Sequence, residues 1–192
     1  MRKFLFLVML FFVGFVSTSK AQDKIEVYGG YSFVRSPVTF FEFTVPCVSA
    51  CGFTAAHDLN LNGWEASAAY RIAGPLAFKA DFAGDYGSFR GASAHLQTYL
   101  FGPQIRLHGP ISPFAHALIG DAHESTGAAN LPGELVSGPT QNSFAVAFGA
   151  GIDIKVLPFI SLRPAQFDYL VTRFSGGTQN QPRFSAGVVF HF

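Results

Sequence analysis

Residues 76–86 read LAFKADFAGDY and alternate without a break. Leu76, Phe78, Ala80, Phe82, Gly84 and Tyr86 fall on one face, and Ala77, Lys79, Asp81, Ala83 and Asp85 on the other. Successive side chains of an extended chain point to opposite sides, so a period of two is the mark of a β-strand. One face is apolar and the other carries charges of both signs. The run is also long, against the roughly five or six residues of an ordinary strand.

The pattern recurs along the chain. It predicts strands at 24–34, 59–72, 76–86, 94–107, 111–122, 142–155, 159–173 and 181–192. Short connections at 73–75, 108–110 and 156–158 each end in proline, and longer ones fall at 35–58, 87–93, 123–141 and 174–180. Eight strands joined by short turns at one end and longer, Gly/Ser/Thr/Asn/Pro-rich loops at the other have the layout of a transmembrane barrel of the bacterial outer membrane. Lipid offers no hydrogen bonds to a strand edge, so such a sheet must close on itself. An even strand number then leaves both termini on one side, the periplasmic one, with the long loops extracellular. The expected fold is all-β, an eight-stranded antiparallel up-and-down barrel occupying 22–192.

A soluble sandwich or lipocalin-like barrel has the same periodicity with the faces exchanged. Three features favour the membrane. Strands of this length suit a tilted span. Aromatics gather near strand ends, at Tyr28, Tyr31, Phe33, Tyr70, Tyr86, Tyr99, Phe101, Tyr169 and Phe174, as interfacial girdles do. Charged residues make up only 13% of the chain, too few for a soluble surface. One strand breaks phase: in FISLRPAQFDYLVTRF the apolar parity flips after Pro164, which predicts a β-bulge at Pro164 and Ala165.

The chain opens MRKFLFLVMLFFVGFVSTSKAQ, with Arg2 and Lys3 ahead of an apolar run at 4–16 and small residues at Ser19 and Ala21. That is the layout of a secretory signal peptide, residues 1–21, cleaved after Ala21. The run is short of the ~20 residues of a spanning helix. Losing Arg2, Lys3 and Lys20 takes the formal net charge from +1 to −2 (1 − 3 = −2), which removes any basic excess and argues against a nucleic-acid partner.

The last residues, SAGVVFHF, place a polar residue at Ser185, glycine at Gly187 and aromatics at Phe190 and Phe192. This resembles the C-terminal signal that the barrel assembly machinery reads on outer-membrane proteins. With LFGPQIRL and AQFDYLVTRF, the chain resembles the small eight-stranded barrels of the outer-membrane protein A and X type, a family of uncharacterised as well as known bacterial members. The resemblance implies a Gram-negative outer-membrane location. It implies outer-membrane lipid and lipopolysaccharide as surroundings, with the assembly machinery and periplasmic chaperones as partners in biogenesis. A monomer without cofactor is the corresponding expectation. The resemblance implies no single activity.

With the charged face turned inward, the lumen receives Glu26, Glu65, Arg71, Lys79, Asp81, Arg106, Asp153, Arg163, Asp168 and Arg183, five acids and five bases. Unpaired buried charge is costly, so salt-bridged layers are expected. Eight strands leave an interior just wide enough for side chains. A filled structural core is therefore the first reading and a narrow solute channel the alternative, since a diffusion porin needs about twice as many strands. Cys47 and Cys51 sit in the first long loop, where an oxidising exterior makes a disulfide the first reading; a metal site would need further ligands, and only His57 lies near in sequence. The histidines His57, His95, His108, His116, His123 and His191 have no metal-ligand spacing and read as solvated or lumenal. His123, Glu124 and Ser125 resemble the His–x–Ser pattern of lipid A deacylases, in which base and nucleophile share a strand face, but Glu124 has the opposite parity. No catalytic, cofactor or metal residue is assigned. The expected function is a non-enzymatic surface scaffold whose loops at 35–58 and 123–141 make contacts or support envelope integrity, with a lipid A-modifying enzyme as the remotest reading.

Overall fold

The computed structural model describes residues 24–44, 52–131, 134–137, 140–173 and 177–192, with side chains described at 24–38, 58–128, 140–173 and 177–192. Ten strands are present among the described residues: β1 (Ile25–Thr44), β2 (Gly52–Ala73), β3 (Leu76–Phe89), β4 (Ala92–Arg106), β5 (Ile111–Thr126), β6 (Ala129–Leu131), β7 (Glu134–Ser137), β8 (Thr140–Leu157), β9 (Ile160–Thr172) and β10 (Gln179–His191). Eight of them, β1–β5 and β8–β10, pair in antiparallel sequence order, and β10 pairs back onto β1, from Glu26 with His191 to Val34 with Arg183, which closes the barrel. No edge strand is left in the wall, as lipid requires.

Side chains settle the choice between a soluble and a membrane barrel. Tyr31, Trp64, Phe78, Phe101, Ile119 and Phe148 point outward and stand 41–58% exposed, while Lys79, Asp81, Asp153, Asp168 and Arg183 are fully buried inside. An apolar outside around a charged inside is the reverse of a soluble barrel and the arrangement of one immersed in lipid. Leu76–Phe89 carries the faces that its sequence predicts, Ala77, Lys79, Asp81, Ala83 and Asp85 all being buried.

The bulge in β9 is present. Ser185 pairs with Gln166 and Gly187 with Arg163, so Pro164 and Ala165 together face Ala186 alone. Arg163 and Gln166 both point inward as a result.

Several expected loops are strand instead. At 87–93 the chain makes a two-residue turn, with Arg90 at φ 46° and Gly91 at φ 83°. Positive φ at both central positions gives a twist matching the right-handed twist of the flanking strands. The segment 35–44 pairs with 52–61 as a direct continuation of β1 and β2. The barrel partners stop earlier: β10 leaves β1 after Val34, and β3 meets β2 only from Asn62. The paired ribbon therefore runs on past those partners for about 30 Å of strand at 3.3 Å per residue, its base packed into the barrel end through Val38, Leu59 and Leu61. The stretch 123–141 completes β5 and then forms the β6–β7 hairpin, whose second strand pairs along β1 from Phe41 with Ser137 to Thr44 with Glu134. These segments look like loops because their alternation continues with reversed polarity.

Candidate functional site: the barrel interior and its mouths

Every strand of the wall contributes to one connected polar network. Arg183 on β10 is its centre, donating to Asp168 at 2.8 and 3.0 Å and to Asp81 at 3.0 Å, with Glu65 at 3.8 Å. Lys79 pairs with Asp81 at 2.8 Å and lies 3.7 Å from Glu65. The Gln166 amide donates to Glu65 and to Asp168, both at 2.8 Å, and accepts from Arg163 at 2.7 Å. Arg163 grips Asp153 with two nitrogens, at 2.7 and 3.0 Å. Asp153 continues to Arg106 at 2.9 Å, and Arg106 to Glu26 at 2.5 Å. His116 on β5 bonds Asp168 at 2.8 Å. Arg71 stands 3.9 Å from Glu26, and His191 4.0 Å.

This chain of contacts joins Glu26, Glu65, Arg71, Lys79, Asp81, Arg106, Asp153, Arg163, Asp168 and Arg183, so five acids meet five bases. Balanced sign and good geometry are what make buried charge tolerable. The Arg163 guanidinium is also held between two aromatic faces, Tyr28 at 4.3 Å and Phe114 at 4.2 Å. Tyr28 is accordingly no part of an interfacial girdle. It is 2% exposed and points inward, as its shared parity with Glu26 dictates. Phe174 lies outside the described residues. Gly149 is where the wall admits the His116–Asp168 pair, because a Cβ there would collide with both side chains.

Ser185, Gly187, Phe190 and Phe192 divide by parity. Phe190 and Phe192 point outward, 41% and 49% exposed, while the Ser185 hydroxyl donates to Glu65 inside. Gly187 packs against Gly29 and Gly30 of β1, too close for any side chain. Phe192 bonds the first strand through its amide to Ile25 and its carbonyl to Lys24, both at 2.8 Å.

Above the network the interior changes character. Val34, Val38, Leu59, Leu61, Ala92, Ala94, Leu96, Leu100, Leu118, Ala122, Ala145, Ala147 and Leu170 form an apolar cluster that fills the ribbon end of the barrel. On the same strands the outward residues become polar: Arg35 on β1, Asn60 and Asn62 on β2, His95 and Gln97 on β4, Asp121 and His123 on β5. The sequence signal for this cluster is the same alternation with its polarity exchanged, which a single in/out assignment per strand overlooks. Two carboxylates sit on its inward face. Glu124 is 1% exposed with neither oxygen hydrogen-bonded, and Asp85, also 1% exposed, leaves one oxygen without a partner, among the described residues.

The His123–Glu124–Ser125 stretch does not assemble a catalytic group. His123 Nδ1 meets Asn142 Oδ1 at 2.5 Å and Ser125 Oγ meets Thr140 at 3.4 Å, each bonding across to β8 rather than to the other, while Glu124 turns inward. Cys47 and Cys51 lie outside the described residues, as do residues 1–23. Among the described residues no group of three or more His, Cys, Asp and Glu side chains could hold a metal ion.

The fold is that of the small eight-stranded outer-membrane barrels. The chain matches no protein-family profile. It matches no curated protein either. Among solved structures, Neisserial surface protein A superposes with a TM-score of 0.62 at 16% identity, over 88% of this chain and 97% of that one. The outer membrane protein OprG of Pseudomonas aeruginosa gives 0.56 at 11% identity, over 88% and 96%. Ail, the attachment invasion locus protein of Yersinia pestis, gives 0.52 at 13%, over 88% and 100%. At these identities the likeness is one of fold.

Proposed function

We propose that the chain is a bacterial outer-membrane barrel whose wall is a closed scaffold and whose working part is the projecting ribbon. Its extracellular face is the β1–β2 ribbon with the β6–β7 hairpin, and its termini and short turns lie in the periplasm. The observation that carries this is the double filling of the interior, a ten-residue charge network below and an apolar cluster above, which leaves the ribbon as the part built to meet something else. At its base the ribbon carries Arg35 and Asp58 exposed, above the lipid-facing band, in the position of a contact surface for the envelope or for other cells. Residues 1–21 act as the cleaved signal peptide, and Ser185, Gly187, Phe190 and Phe192 as the assembly signal. The barrel works as a monomer in lipid and lipopolysaccharide, without cofactor.

The test is threefold on one sample. Fractionation with the outer membrane, a faster-running band that shifts on boiling, and silence in planar bilayers are the expected results. A chain soluble without detergent overturns the barrel reading. Steady conductance from the folded protein replaces the scaffold by a solute channel, and altered lipid A masses on overexpression would replace it by an enzyme. Deleting Phe192 should reduce assembly in cells far more than refolding in detergent.

A further inference from the structure

At the short-turn mouth the network ends in a cavity of about 220 Å³ open to solvent. Its lining includes Arg71, Arg106, Lys155, His108, Ser112 and Ser161, with Glu26 as its one carboxylate. The cations there are unequal. Arg106 is saturated, bonded to Glu26 at 2.5 Å and Asp153 at 2.9 Å. Arg71 has only Glu26, at 3.9 Å and so beyond hydrogen-bond length, and Lys155 has no acidic or hydrogen-bonding side-chain partner among the described residues. Glu26 is already neutralised by Arg106. Two positive charges with unused N–H donors therefore face one small cavity.

We propose that this mouth is a binding site for a phosphate group, inorganic or monoester. Arg71, held only loosely at the edge of the network, and Lys155, outside it, present two charges suited to a doubly charged anion, which a single carboxylate is not. The Arg71 guanidinium offers a planar fork suited to two phosphate oxygens, and the Lys155 ammonium a point charge for a third. The cavity is large enough for a tetrahedral oxyanion with some of its hydration. Ser112 spends its hydroxyl hydrogen on the Gly109 carbonyl at 3.0 Å, so the donors facing the anion are those of Arg71 and Lys155. The Lys155 amide bonds Pro110 at 2.9 Å, fixing β8 against the same turn. The inference rests on the barrel reading above, which places this mouth in the periplasm.

The experiment uses the full chain folded in zwitterionic vesicles or nanodiscs, titrated with inorganic phosphate and followed by amide shifts of Gly109, Ser112 and Lys155. Saturable shifts confined to this mouth are expected. Affinity should fall about tenfold in Arg71→Gln and again in Lys155→Gln, since each removes a charge-assisted contact. Arg35→Gln, on the ribbon, should leave it unchanged. A second arm replaces part of the lipid with phosphatidic acid. Competition with free phosphate there assigns the site to a lipid headgroup, and none assigns it to a soluble phosphate. Non-saturating shifts, or affinity indifferent to both substitutions, overturn the proposal. Should Arg71→Gln fail to fold, the exposed Lys155→Gln decides alone. The boiling shift on the same samples separates the two readings: a folded barrel that ignores phosphate sinks only the site, whereas a chain that never inserts sinks the barrel and the mouth with it.

Discussion

One strand obeys two opposite rules. At its lower end β4 turns Gln104 and Arg106 inward and Pro103 and Ile105 outward; at its upper end Ala92, Ala94 and Leu96 face in while Ser93, His95 and Gln97 face out. The wall geometry is unchanged between the two. What changes is the medium outside it. Where the outside is lipid, apolar residues belong there and the interior holds the paired charges, with Leu100 and Leu118 above them. Where the outside is water, the usual preference returns and the interior packs like a small soluble core. On the membrane reading, the reversal marks where the wall leaves the bilayer: between Phe33 and Arg35 on β1, Trp64 and Asn62 on β2, Tyr99 and Gln97 on β4, and Ile119 and Asp121 on β5.

The comparison can be attacked from both ends. The largest effect belongs to the lower half. Arg183→Ala leaves Asp81 and Asp168 buried without their shared cation and should cost about 3–5 kcal/mol, read by urea unfolding in vesicles. In the upper half, Leu61→Ala should cost about 2–5 kcal/mol as a cavity, with no dependence on the lipid used. Outward charge discriminates next. Phe101→Lys, in the lipid-facing band, should destabilise by about 2–4 kcal/mol. Gln97→Lys, two pairs higher on the same face, should stay within about 0.5 kcal/mol. Equal penalties for the two would erase the boundary. The smallest effect expected to differ from zero is Glu124→Leu, which replaces an unpartnered buried carboxylate in the apolar half and should stabilise by about 1–3 kcal/mol. A loss instead would mean that the carboxylate has a partner of its own.

Closure, strand number and the bulge at Pro164 and Ala165 were legible in the sequence, because each follows from parity along a strand. The ten network charges were legible as a face, though not as pairs, since which acid meets which base depends on register across the wall. Gln166 went unnamed as an uncharged residue, yet it bridges Arg163, Glu65 and Asp168, and His116, read only as solvated or lumenal, bonds Asp168. Tyr28 was misread because its position near a strand end outweighed its parity with Glu26. The ribbon and the upper cluster were missed for related reasons. The run 35–38 turns Arg35 outward and Val38 inward, but its Ser and Pro read as loop, while 94–97 falls in a predicted strand whose single in/out assignment hides the exchange of polarity.

The bond from Ser185 to Glu65 has a consequence for the order of events in assembly. β10 brings Ser185 and Arg183, the groups that answer Glu65, Asp81 and Asp168 from three other strands. While β10 is unpaired, those carboxylates lack their shared cation, and Lys79, Gln166 and His116 answer them from the rest of the wall. Docking β10 completes their neutralisation together. Sealing the wall and drying the interior are then a single step, so a barrel missing β10 should remain open rather than collapse into a smaller one.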